Sequence, residues 1–178
     1  MPQQLLRTWL RALEKEVGAQ IQMSRGMEFG ALDGWWGQKQ RRSRPHEGID
    51  IVRFRESSAG ECKTLRDVPL RAIEGGQCVA IMDDFLGKTL VVRRFRSLGG
   101  KQQFFVYGHL QLASSMRVGR EFGPGSVIGC VRESVKSCPE HLHISLVEVE
   151  RGVQVPWAEM TWDSMHSLGF CVFLPLTI

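Results

Sequence analysis

His141-Leu142-His143-Ile144-Ser145-Leu146-Val147-Glu148-Val149 is the stretch that decides the fold. It is short, rich in β-branched residues and closed off upstream by Pro139, so it reads as a strand. Alternate side chains of a strand share a face. His141 and His143 therefore point one way, and Leu142 and Ile144 the other. Six more runs of this kind precede it: Ile49–Phe54, Val68–Ile73, Cys78–Met82, Thr89–Phe95, Gln103–Leu110 and Ser126–Val131. Gly75-Gly76, Asp83-Asp84, Gly99-Gly100 and Gly123-Pro124-Gly125 punctuate them. No crossover helix fits between the runs, so the sheet should be largely antiparallel. The expected class is mainly β, an antiparallel β-sandwich or roll.

A helix stands in front of it. Leu5, Leu6, Trp9, Leu10, Leu13, Val17 and Ile21 recur at helical spacing, which predicts an amphipathic helix over 3–21. Arg7, Arg11, Glu14 and Lys15 fill its other face, and Gly18 weakens its last turn. Residues 1–26 are expected to be a helical appendage and 27–178 the main domain.

The chain of 178 residues is 43% hydrophobic and can bury a sizeable core, so it needs neither metal nor disulfides merely to fold. Its net charge of +4 favours anionic partners. The basic run Lys39-Gln40-Arg41-Arg42-Ser43-Arg44 reads as a solvated loop, or as a contact to an anionic substrate. Its basic residues form no nucleic-acid module, so no nucleic-acid partner is expected. No stretch is long enough to span a membrane, and the start Met-Pro-Gln-Gln-Leu-Leu-Arg does not read as a secretory signal. Five cysteines leave at least one unpaired within the chain, and Cys130 to Cys138 is the spacing most suggestive of a bridge. Glu56–Asp67 reads as a polar loop.

Four of the five histidines fall in three phrases: His46-Glu47-Gly48-Ile49-Asp50, Tyr107-Gly108-His109-Leu110 and His141-Leu142-His143. On an extended segment His46 and Asp50 share a face, with Gly48 between them adding no bulk. His109 ends another apolar strand. If these strands are neighbours, all five groups meet on one surface. Three nitrogen or oxygen ligands with a fourth position open is the pattern of a catalytic zinc site. The remaining imidazoles would handle protons. The residues themselves leave open which of His141 and His143 is the ligand. His166, near Trp157 and Trp162, falls outside the set and reads as a surface or core histidine.

These phrases, in this order, resemble the lysostaphin-type zinc endopeptidases, which cleave peptide cross-links of bacterial peptidoglycan. The likeness extends to Phe29-Gly30, to Val68-Pro69-Leu70-Arg71-Ala72 with Glu74-Gly75-Gly76, and to Val118-Gly119 with Gly125-Ser126-Val127-Ile128-Gly129. It covers roughly 27–160. The resemblance implies the duplicated hybrid motif fold of that family. It implies Zn2+ held by His46, Asp50 and His143, with His109 and His141 as the catalytic pair. It also implies a peptidoglycan peptide as substrate and a place in the cell envelope or outside the cell. The alternative is a catalytically silent relative acting as a cell-wall binding or regulatory module. Such relatives typically lose ligands, and this chain keeps the full set. It departs from the family at Glu140, which separates Pro139 from His141. The stretch Leu86–Arg96 lacks the usual Gly-Asn turn, and a loop usually rich in Gly and Ser is bracketed by Cys130 and Cys138.

Overall fold

The computed structural model describes residues 2–56, 60, 62–96, 99–131, 138–160 and 171–176. One α-helix, α1 (Pro2–Val17), precedes twelve strands among these residues. They are β1 (Gln20–Gln22), β2 (Ile49–Ile51), β3 (Arg53–Arg55), β4 (Cys62–Thr64), β5 (Leu70–Arg71), β6 (Gly76–Asp83) and β7 (Lys88–Arg94). They continue with β8 (Lys101–Leu112), β9 (Glu121–Phe122), β10 (Val127–Val131), β11 (Leu142–Glu150) and β12 (Cys171–Phe173).

The large sheet runs β12-β11-β8-β7-β6-β9, with β2 added beside β11 and β10 bridging β8 to β5. A small sheet, β1-β3-β4, lies apart. Every strand pair is antiparallel, as the absence of crossover helices requires. The predicted run Ile49–Phe54 is broken at Val52, which lets β2 join the large sheet and β3 the small one.

Alternation along the strands sorts the core. Leu142, Ile144 and Leu146 of β11 join Phe105 and Tyr107 of β8 in the main cluster. Leu6, Trp9, Leu10 and Leu13 of α1 close that cluster, and the Trp9 indole N–H donates to the Arg71 carbonyl at 2.6 Å. The opposite face carries Val147, Val149, Phe104 and Val106, covered by Trp157 and Met160 at one end of the sheet. At the other end of that face the apolar residues give way to His141, His143 and Ser145, all buried.

Several expectations change. The helix ends at Val17 rather than continuing to Ile21, because Gly18 takes a left-handed conformation (φ 71°) that terminates it. Ile21 instead pairs with Phe54 in β1–β3. Part of the polar segment Glu56–Asp67 is a strand, β4, whose exposed side chains gave no alternation to read. Cys130 and Cys138 are both free thiols. His166 and Trp162 lie outside the described residues.

Candidate functional site

Register brings the histidine phrases together. Asp50 of β2 pairs directly with His143 of β11, and His143 pairs on its other side with Gly108 of β8. Gly48 is required here: a Cβ at that position would lie 2.3 Å from the Ile144 carbonyl oxygen and 2.6 Å from His143 Nε2. His109 sits where β8 changes partner, from β11 up to Gly108 to β10 from Leu110. On its other edge, Lys88 faces Leu110 and Leu90 faces Tyr107, so two β8 residues oppose Thr89 in a bulge. Bulges re-aim side chains. His109 has φ 68°, a strained value for a residue with a side chain.

His46, Asp50, His109, His141 and His143 are each 5% exposed or less. His46 Nε2 lies 3.2 Å from His143 Nδ1 and 3.3 Å from Asp50 Oδ2, and His143 Nδ1 lies 2.8 Å from Asp50 Oδ1. One ligand-type atom from each of these three residues falls within 4.8 Å of the others. His141 Nε2 is 3.8 Å from Asp50 Oδ1. The His109 and His141 rings meet edge to face at 4.5 Å between centroids. The five residues read from the sequence therefore converge, and His141 and His143 occupy different places in the cluster.

The far nitrogen of each imidazole is held by something else. His46 Nδ1 faces the Glu28 carbonyl oxygen at 3.0 Å, and His141 Nδ1 faces the Pro139 carbonyl oxygen at 2.8 Å. His109 Nδ1 faces Asp84 Oδ1 at 3.0 Å, and His143 Nε2 pairs with Ser145 Oγ at 2.7 Å. A carbonyl or carboxylate oxygen only accepts, so the first three nitrogens carry the proton. That leaves Nε2 of His46, His141 and His109 as lone pairs. Ligating histidines are oriented in this way by their outer partners.

The electrostatics agree. Burial pushes the Asp50 carboxyl up, but hydrogen bonds from His143 and His46 outweigh it and hold Asp50 well below the usual carboxylate range. Burial lowers His141 to about 4, so it is neutral near pH 7. Two imidazole nitrogens and a carboxylate facing one another within 4.8 Å make a seat for a divalent cation. Two imidazoles and one carboxylate are a donor set that suits zinc.

Three residues that the sequence reading passed over complete the site. Trp35 donates its indole N–H to Asp50 Oδ2 at 2.6 Å and meets the His141 ring edge-on. Ser145 follows the His-x-His on the same strand face. Asp84, read only as turn punctuation, receives five donors. These are the backbone N–H groups of Leu86 and Gly87 (2.8 Å each) and of His109 (3.0 Å), the Thr89 hydroxyl (2.7 Å) and His109 Nδ1. Burial pushes the Asp84 carboxyl up, yet these bonds and the His109 ring pull it far down, so it is ionised. An Asp at a hairpin is ordinary turn chemistry. What the sequence hides is that the β8 bulge swings His109 onto it.

In the basic run, Arg42 is structural. It donates to the Gly26 and Asp33 carbonyls at 2.6 and 2.9 Å and lies 3.7 Å from Asp50 Oδ2. Glu140, the residue inserted between Pro139 and His141, gives its carboxylate to the Arg66 guanidinium in a two-pronged pair at 3.2 and 2.9 Å.

No protein-family model matches the chain, and no curated protein matches it by sequence. Solved structures match it in architecture. One is the catalytic domain of the antimicrobial peptidase lysostaphin from Staphylococcus simulans. It is 17% identical, the match covers 78% of this chain and 85% of that one, and the TM-score is 0.50. Another is LytU, 21% identical over 85% of this chain and 87% of that one, also with a TM-score of 0.50. At such identities the likeness is one of architecture, and this chain has the lysostaphin-type fold of the M23 peptidases.

Proposed function

We propose that the chain is a zinc-dependent metalloendopeptidase that hydrolyses peptide bonds of peptidoglycan cross-links at the cell envelope. One observation carries the reading. Four buried imidazoles have their far nitrogens held by Glu28, Pro139, Asp84 and Ser145, while the near nitrogens of His46, His141 and His143 gather around Asp50 and the His109 ring packs against His141. A structural site would fill all of its positions with ligands. This one has three ligand atoms and two further imidazoles beside them.

His46 Nε2, Asp50 and His143 Nδ1 would hold the metal. Bound there, zinc supplies Lewis acidity toward a peptide carbonyl and acidifies water. The remaining groups belong to the chain. His141, neutral and held in one tautomer by Pro139, presents Nε2 toward the Asp50 side of the site and orients the attacking water. His109 presents its own Nε2 beside His141. The Asp84 carboxylate behind it stabilises the imidazolium that forms when His109 takes a proton and later passes it to the leaving amine. Glu140 does not disturb this, because Arg66 engages its carboxylate. No described helix is long and apolar enough to cross a membrane.

Metal analysis of the purified protein tests the reading. One zinc per chain is expected, lost in His46→Ala. Release of peptide fragments from purified sacculi should stop with chelator and in His141→Ala. Stoichiometric zinc with sacculi left intact would instead favour a silent cell-wall-binding relative.

A further inference from the structure

Beside the metal centre lies an open cavity of about 490 Å3 that the mechanism above does not use. Trp35 and Pro139 line it. Trp35 reaches Asp50 and His141 through its indole, and the Pro139 carbonyl holds His141. The wall between cavity and site is thus about one side chain thick. A peptide that runs past His141 on the Trp35 and Pro139 side of the site would meet this cavity.

The lining is charged. Arg25 and Asp33 neutralise each other across 2.6–2.7 Å. Lys39 and Arg53 also line the cavity, both exposed, and neither has an ion-pair partner among the described residues. Lys39 comes from the loop before His46 and Arg53 from β3, so two separate segments bring cations to one hollow. Lys39 is held in the left-handed region at φ 50°, with its N–H bonded to the Trp36 carbonyl at 3.1 Å. Left unmatched, these two charges contribute nothing to binding a neutral peptide. Matched, they form charge-assisted hydrogen bonds, which are stronger than neutral ones.

We propose that this cavity is a carboxylate-binding subsite, so that the substrate is a peptide carrying an acid group close to the bond that is cut. The proposal rests on the peptidase reading and sharpens it: an uncharged polyglycine bridge would leave the subsite unused. The basic run noted in the sequence then divides. Arg42 builds the loop, and Lys39 faces the ligand.

Binding tests this without turnover. Acetyl-Gly-Gly-Glu-Gly-Gly-amide and its Gln counterpart are titrated into the chelator-treated full chain at low salt and followed by backbone amide shifts. A third peptide, acetyl-Gly-Gly-Gly with a free C-terminal carboxylate, separates a chain terminus from an acidic side chain as the source. At least one carboxylate peptide should bind about tenfold tighter than the Gln peptide, a difference of ~1.4 kcal/mol. The preference should shrink as salt rises. It should fall to about twofold or less in Lys39→Gln/Arg53→Gln. In Lys39→Glu/Arg53→Glu it should invert, which misfolding does not mimic. Equal affinity for all three peptides, or a preference that survives Lys39→Glu/Arg53→Glu, overturns the subsite. Absence of zinc and of sacculus cleavage overturns the peptidase reading instead and leaves the binding preference standing.

Discussion

The two sides of the site are built differently. On one side His46, Asp50 and His143 hold one another through an adjacent strand pair, and their outer partners are a backbone carbonyl, a serine hydroxyl and the Trp35 indole. On the other, His109 depends on a bulge, a strained backbone and a carboxylate from a different hairpin. The ligand side is local and over-determined: β2 and β11 place Asp50 opposite His143 by register alone. The His109 side is assembled from β6, β7 and β8, and a single residue, Asp84, ties them. Metal holding and proton handling should therefore fail separately, each with its own substitutions.

The largest effect is expected at Asp50, the carboxylate that the near nitrogens of His46, His141 and His143 face. Changes to outer partners alone cost about 10–100-fold in metal affinity, so Asp50→Ala should exceed that in a zinc-competition titration. Retention of wild-type zinc affinity would place the metal elsewhere. Asp84→Asn should do the opposite: leave zinc content intact and cut turnover by on the order of 10²–10⁴, with KM little changed. Its five partners are all donors, and an Asn amide brings two more. The amide oxygen takes the place of Oδ1, which accepts from the Leu86 and Gly87 N–H groups and from His109 Nδ1. Asp84→Asn therefore keeps the imidazole tautomer and removes only the negative charge behind it, whereas Asp84→Ala frees the proton to move to Nε2. Long-range 1H–15N spectra of the histidine rings read the tautomer kept in Asp84→Asn and changed in Asp84→Ala in metal-free protein, whether or not the chain cleaves anything. An unchanged His109 tautomer in Asp84→Ala would remove Asp84 from the site.

This division also separates what was legible in the sequence from what was not. His46, Asp50, His141 and His143 lie at strand spacings, and strand geometry has a period that can be counted. Placing them on one surface needed only the assumption that their strands are neighbours, and the β2–β11–β8 pairing supplies it. Asp84 and Trp35 have no such period. Asp84 lies one residue beyond β6 and looks like any turn aspartate until β8 bulges by one residue at His109. Trp35 lies in a loop whose course is set by bonds such as Arg42 to the Gly26 carbonyl, between segments far apart in the chain. The short strands β1 and β4 were missed for a related reason. Each is three residues long, largely unburied, and recruited by β3 rather than by its own pattern.

A smaller pair of substitutions crosses the comparison. Ser145→Ala removes the partner of His143 Nε2 and should weaken zinc binding by about 10-fold or more while the His109 tautomer stays as it is. Thr89→Val removes one of the five donors to Asp84 and should leave zinc affinity unchanged. Turnover should fall by less than tenfold, since a single hydrogen bond is worth about 1 kcal/mol. If both variants moved metal affinity and turnover together, the two sides would be one cooperative network rather than two.

The smallest expected effect is on acid stability. Asp84 is ionised far below the ordinary aspartate pKa of about 3.9, so the unfolded chain binds a proton at a higher pH than the folded one does. Stability from this group is complete above that ordinary value and is lost as pH falls below it, because protons then pull toward the unfolded state. In Asp84→Asn that term is absent. The melting temperatures of metal-free wild type and Asp84→Asn should therefore differ most near neutral pH and approach each other as pH drops below about 4. Asp50 is shifted in the same direction in both proteins, so it steepens both acid limbs without closing the gap. A gap that stayed constant through that window would mean that Asp84 contributes through packing and hairpin geometry rather than through its charge.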